Sequence, residues 1–258
     1  MSAVKEFKTV ALYEDETHKF YLLGSSENED EGIVQVNQYV VVDGEEAALL
    51  DPGGAHVFAR VLAEVSEIIG LDRVKYIFFT HQDPDVVSGI TLWMSIIPHA
   101  KVYISNLWTR FLPHFGIYDQ RKIVALPDKG GKIQFSSGVT LDIIPAHYLH
   151  STGNLNLYDP VAKILFSGDI GAAIFPRGGR YQIAQSWEEH VRLMEAFHQR
   201  YMTSNVACKK WVDTVSRYDI EYIAPQHGAV MPREIATRFL EWLRNLRCGV
   251  DIINKVYG

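Results

Sequence analysis

The sequence predicts an α/β chain folded as a four-layer αββα sandwich, two sheets face to face with helices outside each. Three observations carry that prediction. Apolar runs of strand length fall into two groups, each accompanied by segments with helical spacing. Five strand ends present a ligand-type side chain beside a backbone-breaking glycine or proline. Neither a linker, a low-complexity tract nor an internal repeat separates the groups, so residues 1–258 read as one domain.

Residues 9–13 and 20–23 are short extended segments, and the acidic run 25–32 reads as a solvated loop. Residues 34–42 and 46–50 flank Asp43-Gly44, a strong short hairpin signal. The second strand runs into Asp51-Pro52-Gly53-Gly54, where glycine permits a positive φ and close backbone approach. Val57, Phe58, Val61, Leu62, Val65 and Ile69 recur at helical spacing, which predicts a helix over 56–69 with one face on a sheet. A strand at 74–79 and a helix over 87–97 follow.

In the second half, residues 101–104 read as a strand and 106–115 as a short helix carrying Trp108, Phe111 and Phe115. Extended segments at 133–135, 139–144 and 154–158 lead to the turn Asp159-Pro160 and a strand over 163–166, which ends at Gly168-Asp169. Helices are expected over 187–201 and 205–218. A last strand over 220–224 precedes Pro225-Gln226-His227-Gly228, and Pro232 opens a helix running to about residue 247.

Composition narrows the function. The formal net charge of -6 argues against nucleic acid as a partner. No apolar run approaches the roughly 18 residues of a membrane helix, and no basic-then-apolar leader opens the chain. The expectation is a cytoplasmic protein with no membrane partner. Cys208 and Cys248 are far apart and read as two reduced thiols.

The chemistry concentrates in His81-Gln82-Asp83-Pro84-Asp85, one imidazole and two carboxylates on a single turn after a buried strand. Pro84 interrupts the ladder and fixes a loop, which lets His81, Asp83 and Asp85 point inward together. The other strand ends carry Asp51, Asp169, His227 and the pair His147 and His150. A lone aspartate at a strand end is ordinarily a turn-former or helix cap. Five such ends, three with histidine, point instead to a dinuclear metal centre. His18, His99 and His114 fall in expected loops or helix ends, and His56, His190 and His198 on helices. These read as surface residues or supports to a ligand.

Taken in order, Asp51-Pro52-Gly53, His81-x-Asp83-x-Asp85, His150, Gly168-Asp169 and His227-Gly228 resemble the metallo-β-lactamase superfamily over nearly the whole chain. The resemblance implies the αββα sandwich with a dinuclear site at the edge between the sheets. The superfamily's usual first motif is His-x-His-x-Asp-His; here Asp83 replaces the second histidine and Val86 the last. An acidic residue at the first of these positions resembles the flavodiiron branch, and most of all the stand-alone oxygen-binding diiron proteins. His150 leaves 18 residues before Asp169, as in that branch, whereas His147 would leave 21. His150 is therefore the expected ligand and His147 its neighbour. By the same resemblance His81, Asp83 and His150 hold one metal, Asp85 and His227 the other, and Asp169 bridges. Val86 leaves the second metal one imidazole short. Asp51 is expected to orient a metal histidine or its loop.

Three carboxylates and three imidazoles make an anionic donor set suited to iron or manganese more than to zinc. The resemblance implies a non-haem protein with two iron ions that binds or reduces dioxygen, or nitric oxide. Flavodiiron proteins carry an FMN-binding flavodoxin domain after the sandwich. This chain reaches Gly258 soon after its last predicted helix and is read as having no flavodoxin domain and no FMN. Electrons would come from a separate flavodoxin- or rubredoxin-type donor, which makes a reductase. Otherwise the chain is an oxygen sensor or carrier that reports to a signalling partner. The alternative is a hydrolase in which a metal-bound hydroxide attacks an ester, thioester or lactone.

Overall fold

The computed structural model describes residues 5–27 and 35–258. Most of the acidic run 25–32, and residue 34 at the start of a predicted strand, lie outside the described residues. The chain begins with β1 (Lys5–Phe7), β2 (Val10–Glu14), β3 (His18–Leu22), β4 (Ser25–Glu27), β5 (Tyr39–Asp43) and β6 (Glu46–Leu50). It continues with α1 (Phe58–Ile68), β7 (Val74–Phe78), α2 (Pro84–Val87), α3 (Ile90–Ile96), β8 (Lys101–Ser105), α4 (Asn106–Thr109) and β9 (Ile123–Leu126). The second half holds β10 (Gly131–Gln134), β11 (Thr140–Pro145), β12 (Leu155–Asp159) and β13 (Ile164–Gly168). After them come α5 (Trp187–Tyr201), α6 (Asn205–Val215), β14 (Tyr222–Pro225), β15 (Met231–Pro232), α7 (Arg233–Asn245) and α8 (Ile253–Tyr257).

Two mixed sheets result. The first has seven strands in the order β2-β3-β5-β6-β7-β8-β9, antiparallel up to β6 and parallel from there. The second has six strands in the order β10-β11-β12-β13-β14-β15, with β13 and β14 parallel. β1 and β4 form a separate pair. Parallel neighbours require helical crossovers, and those crossovers cover the outer faces.

The core forms three apolar layers, as four structural layers demand. Phe20, Tyr39, Phe78, Leu141 and Phe166 pack between the sheets. Val61, Val65, Val86 and Trp93 fill the layer under α1–α3, while Met194, Trp211 and Phe239 fill the layer under α5–α7. Strand alternation does the sorting: Tyr39 and Val41 of β5 face the inner layer, Val40 and Val42 the outer one. Burial on both faces explains why the central strands read as continuous apolar runs.

Three local expectations are corrected. Pro84 does not hold a loop; it opens α2 with Asp83 as the N-cap residue, where its missing N–H costs no hydrogen bond. The helix predicted over 106–115 breaks into α4 and a 3-10 turn, Leu112–Phe115, because Pro113 cannot donate to continue it. His18 lies in β3 and is buried rather than looped out. No helix among the described residues is long and apolar enough to cross a membrane.

Candidate metal centre

The strands β6, β7, β13 and β14 all point their C-terminal ends at one edge of the sandwich, and each delivers a side chain there: Asp51, His81, Asp169 and His227. The loop after β11 adds His150, and α2 adds Asp85. The sheets are joined at this edge by the Leu155 N–H, which donates to the Thr80 carbonyl at 3.0 Å. Gly168 turns the chain with φ 56°, and a Cβ there would stand 3.1 Å from the Thr80 hydroxyl oxygen. A side chain at Gly168 would crowd Thr80, the neighbour of His81, and strain the left-handed backbone that presents Asp169.

One donor atom each from His81, Asp83, His150 and Asp169 lies within 4.8 Å of the others. His150 Nε2 stands 2.9 Å from Asp169 Oδ2 and 3.4 Å from Asp83 Oδ2. On the other side of the same carboxylate, His227 Nε2 is 3.5 Å from Asp169 Oδ1 and 3.2 Å from Asp85 Oδ2. Asp169 thus sits between two groups of donors, each able to hold a cation. His81 Nε2 and Asp169 Oδ1 are buried without a hydrogen-bond partner, which is costly unless a ligand satisfies them. Two orphaned atoms that each offer a lone pair, inside a ring of carboxylates and imidazoles, fit a metal.

Electrostatics without a cation report the same strain. Burial opposes charge on His150, but hydrogen bonds to Asp169 and Asp83 outweigh it and raise its pKa to about 10. His227 is pushed up to about 9, its burial penalty exceeded by the charge of Asp169 and the hydrogen bond to Asp85. Asp83 and Asp169 are held well below the usual carboxylate range; in both, the neighbouring imidazoles overcome desolvation. Metal binding must displace the protons that these imidazoles otherwise keep.

The rings are aimed by partners behind them. Thr80 Oγ1 donates to Asp51 Oδ2 at 2.6 Å and lies 2.8 Å from His81 Nδ1, whose N–H it can accept, leaving Nε2 for the centre. Asp51 also accepts the Thr80 backbone N–H at 2.8 Å; complete burial raises its carboxyl to about 7, against the pull of His81. His227 Nδ1 donates to the Gln35 carbonyl at 2.8 Å. Replacing Thr80 with isosteric valine should keep the fold and weaken metal binding by roughly 10–100-fold, the usual cost of losing such a support. Chelator competition measures this; unchanged affinity would show that the hydroxyl does not orient the ring.

The family described as "ODP family beta lactamase" matches residues 34–228, more than half of the chain. The chain belongs to that family. A solved structure of the "Peroxy diiron species of chemotaxis sensor ODP" is 46% identical, with 97% of this chain and 100% of that one covered at a TM-score of 0.87. The apo chemotaxis sensor ODP from T. denticola is 45% identical, with 98% and 100% covered at a TM-score of 0.85. A flavo-diiron protein from Thermotoga maritima shares the fold at 18% identity and a TM-score of 0.75, covering 94% of this chain and 61% of that one. Among curated proteins, flavo-diiron protein FprA2 of Clostridium acetobutylicum is 21% identical over 200 residues, 77% of this chain. The chain spans 50% of that relative's length. The αββα sandwich expected from the sequence is the metallo-β-lactamase-like core of these proteins.

In this ODP-family chain the predicted site residues do not all meet. His147 points elsewhere: its Nε2 contacts the Asp128 carbonyl at 2.6 Å, and it lines a separate cavity of about 600 Å³ with α6 residues. Val86 is buried in the apolar layer with Val61 and Val65. Sequence reading passed over Ser151, Gln82 and Asn37 as supports, and left His198 among residues that lie on the surface or support a ligand. Ser151 Oγ donates to Gln82 Oε1 at 2.6 Å and ties the two ligand loops together. Asn37 Nδ2 donates to the carbonyls of Pro225 and Gly228 at 3.0 and 2.9 Å, bracketing His227. His198 Nε2 accepts the Gly171 N–H at 3.0 Å; complete burial lowers its pKa to about 4 and keeps it a neutral acceptor. Only the strand-end pattern was visible locally; these partners lie far off in sequence.

Proposed function

We propose that this chain is a non-haem diiron protein that binds dioxygen and acts as a sensor. His81, Asp83 and His150 would hold one iron and Asp85 and His227 the other, with the Asp169 carboxylate standing between the two groups. The observation that carries this reading is the pair of buried, unpartnered atoms on His81 and Asp169 at the junction of the two donor groups. The identity of 46% with a chemotaxis sensor over nearly the full chain supports the sensor role. Two ferrous ions, when bound, would supply the electron pair for the first reduction of dioxygen.

The chain's own residues supply the rest. Three carboxylates offset the cation charge and favour iron over zinc. Above them lies a cavity of about 580 Å³, lined in part by Ile174, Phe197, Arg200 and Tyr201. Phe197 and Tyr201 stack at 4.6 Å and an interplanar angle of 15°, and the Tyr201 ring stands edge-on to His150 at 5.7 Å. That stack packs against the His150 side of the cavity, whose volume is ample for a diatomic ligand. A flavodoxin- or rubredoxin-type donor would instead make the chain a reductase.

Two measurements test the proposal together. Protein from iron-supplemented cells should contain two irons per chain. After anaerobic reduction, stopped-flow mixing with oxygenated buffer should give a visible band that decays slowly, and faster when a reduced flavoprotein is added. Two zincs per chain with esterase or lactonase activity would overturn it. Complete oxidation with no coloured phase and no effect of a donor would overturn the sensor role.

A further inference from the structure

Cys208 and Cys248 are 40 positions apart, yet their sulfurs meet at 3.8 Å in the apolar layer under α5–α7, both fully buried. The metal centre uses neither. As packing alone they are two small apolar side chains with a weak S–H···S contact. Their surroundings differ from packing in two ways. Cys248 occupies the cap of a 3-10 turn, Gly249–Ile252, where its sulfur accepts the backbone N–H of Asp251. The contact with Cys208 lowers the Cys248 thiol below its ordinary value, while the same contact, with burial second, raises that of Cys208. Cys248 stands at the cap of a short turn and Cys208 inside α6, so Cys248 is the thiol that local opening of the turn exposes first, with its partner in reach. This is the arrangement of an attacking and a resolving thiol.

We propose that Cys208 and Cys248 form a reversible dithiol–disulfide site oxidised by hydroperoxides. The Cys248 thiolate attacks one peroxide oxygen; the O–O bond breaks, hydroxide leaves, and Cys248 becomes a sulfenic acid. Cys208 then attacks that sulfur, the S–O bond breaks, and water forms with the Cys208 proton. The two thiols lose two electrons and two protons in all, and hydrogen peroxide becomes two waters. Access comes from local opening of the terminal turn and α8, in which Val250, Ile253 and Tyr257 are exposed.

The cross-link reaches the metal loop through the backbone. The Val250 N–H donates to the Thr203 carbonyl at 2.9 Å, and the Thr203 N–H donates to the Tyr148 carbonyl at 3.3 Å, two residues before His150. Gly249 lies so close to the Met202 and Thr203 carbonyls that a Cβ would stand 2.3 and 2.2 Å from them. Closing the disulfide pins this segment to α6 and constrains the unfolded chain.

The test uses the full chain as purified, reduced and freed of reductant under nitrogen. Hydrogen peroxide is added in slight excess, or diamide in parallel, and the protein is denatured, alkylated and mapped by mass spectrometry. The expected result is loss of both alkylatable thiols, one Cys208–Cys248-linked peptide and full reversal by dithiothreitol, with the oxidised form melting higher. C208S should leave a sulfenic acid on Cys248 that dimedone captures, whereas C248S should leave Cys208 unoxidised. Should the variants fail to fold, the map of the unaltered chain decides alone. Both cysteines still alkylatable after both oxidants, or disulfides formed only between chains, would overturn the proposal.

Discussion

Alanine in place of His150 is expected to strip most of one metal equivalent from the purified protein, whereas alanine in place of His147 leaves the content unchanged. The two imidazoles sit three positions apart on one loop. His150 Nε2 faces Asp169 and Asp83 at 2.9 and 3.4 Å, inside the cluster with His81. His147 Nε2 is engaged 2.6 Å from the Asp128 carbonyl and lines a cavity that shares no residue with the one over the centre. Losing a residue that only supports a ligand costs about 10–100-fold in affinity, so losing the ligand itself costs at least that. Two carboxylates are then left facing each other with less compensation, which weakens the remaining site as well. Metal per chain after dialysis, by elemental analysis, measures the effect. The opposite pattern would move the ligand to His147.

A second large loss is expected at the far end of the sandwich, from His18. Its Nδ1 lies 2.9 Å from Asp43 Oδ1 and its Nε2 2.7 Å from Asp159 Oδ2, all three side chains buried. Asp43 ends β5 and Asp159 ends β12, so this imidazolium joins the two sheets opposite the metal centre. Breaking a buried charge group by removing one partner costs about 3–5 kcal/mol, because the remaining charges stay desolvated. His18→Ala should lose that much in urea unfolding.

His18 also imposes a pH dependence. Burial opposes its charge, but Asp159 and then Asp43 outweigh it and raise its pKa when folded. The stabilisation is then complete below the unfolded pKa of about 6.5 and disappears as pH rises through the folded value. The stability difference between the unaltered chain and His18→Gln should therefore shrink as pH rises from 6.5 upward. A difference that is flat or grows with pH would show that His18 is neutral in the folded protein.

Much of the centre was legible because strand ends carry local signals. Asp51, Asp83, Asp85, Asp169 and His227 each adjoin a glycine or proline at or just beyond a strand end, and His81 stands two positions before Asp83. The structure brings all six to one edge because parallel strands start at the same side of a sheet and end at the other. Distinguishing His150 from His147 needed a spacing borrowed from a resemblance. No residue in Pro145–Gly153 says which ring turns inward; the Asp128 carbonyl that holds His147 lies 19 positions away. Pro84 was misread for a related reason: proline breaks a strand and opens a helix with equal ease, and only the fold selects between the two.

What the sequence determined by itself is therefore the set of candidate donors, the two groups of strands and the layers they build. Period and burial are properties of neighbouring residues. What only the tertiary structure decided is which candidate donors stand together, which rings are aimed, and what pairs across the sheets. Thr80 with Asp51, His198 with Gly171, His18 with Asp43 and Asp159, and Cys208 with Cys248 are joined across 25 to 141 positions. A hydrogen bond or thiol contact acts over about 3–4 Å in space and leaves no periodic trace along the chain, so these partners exist only once the sheets have packed.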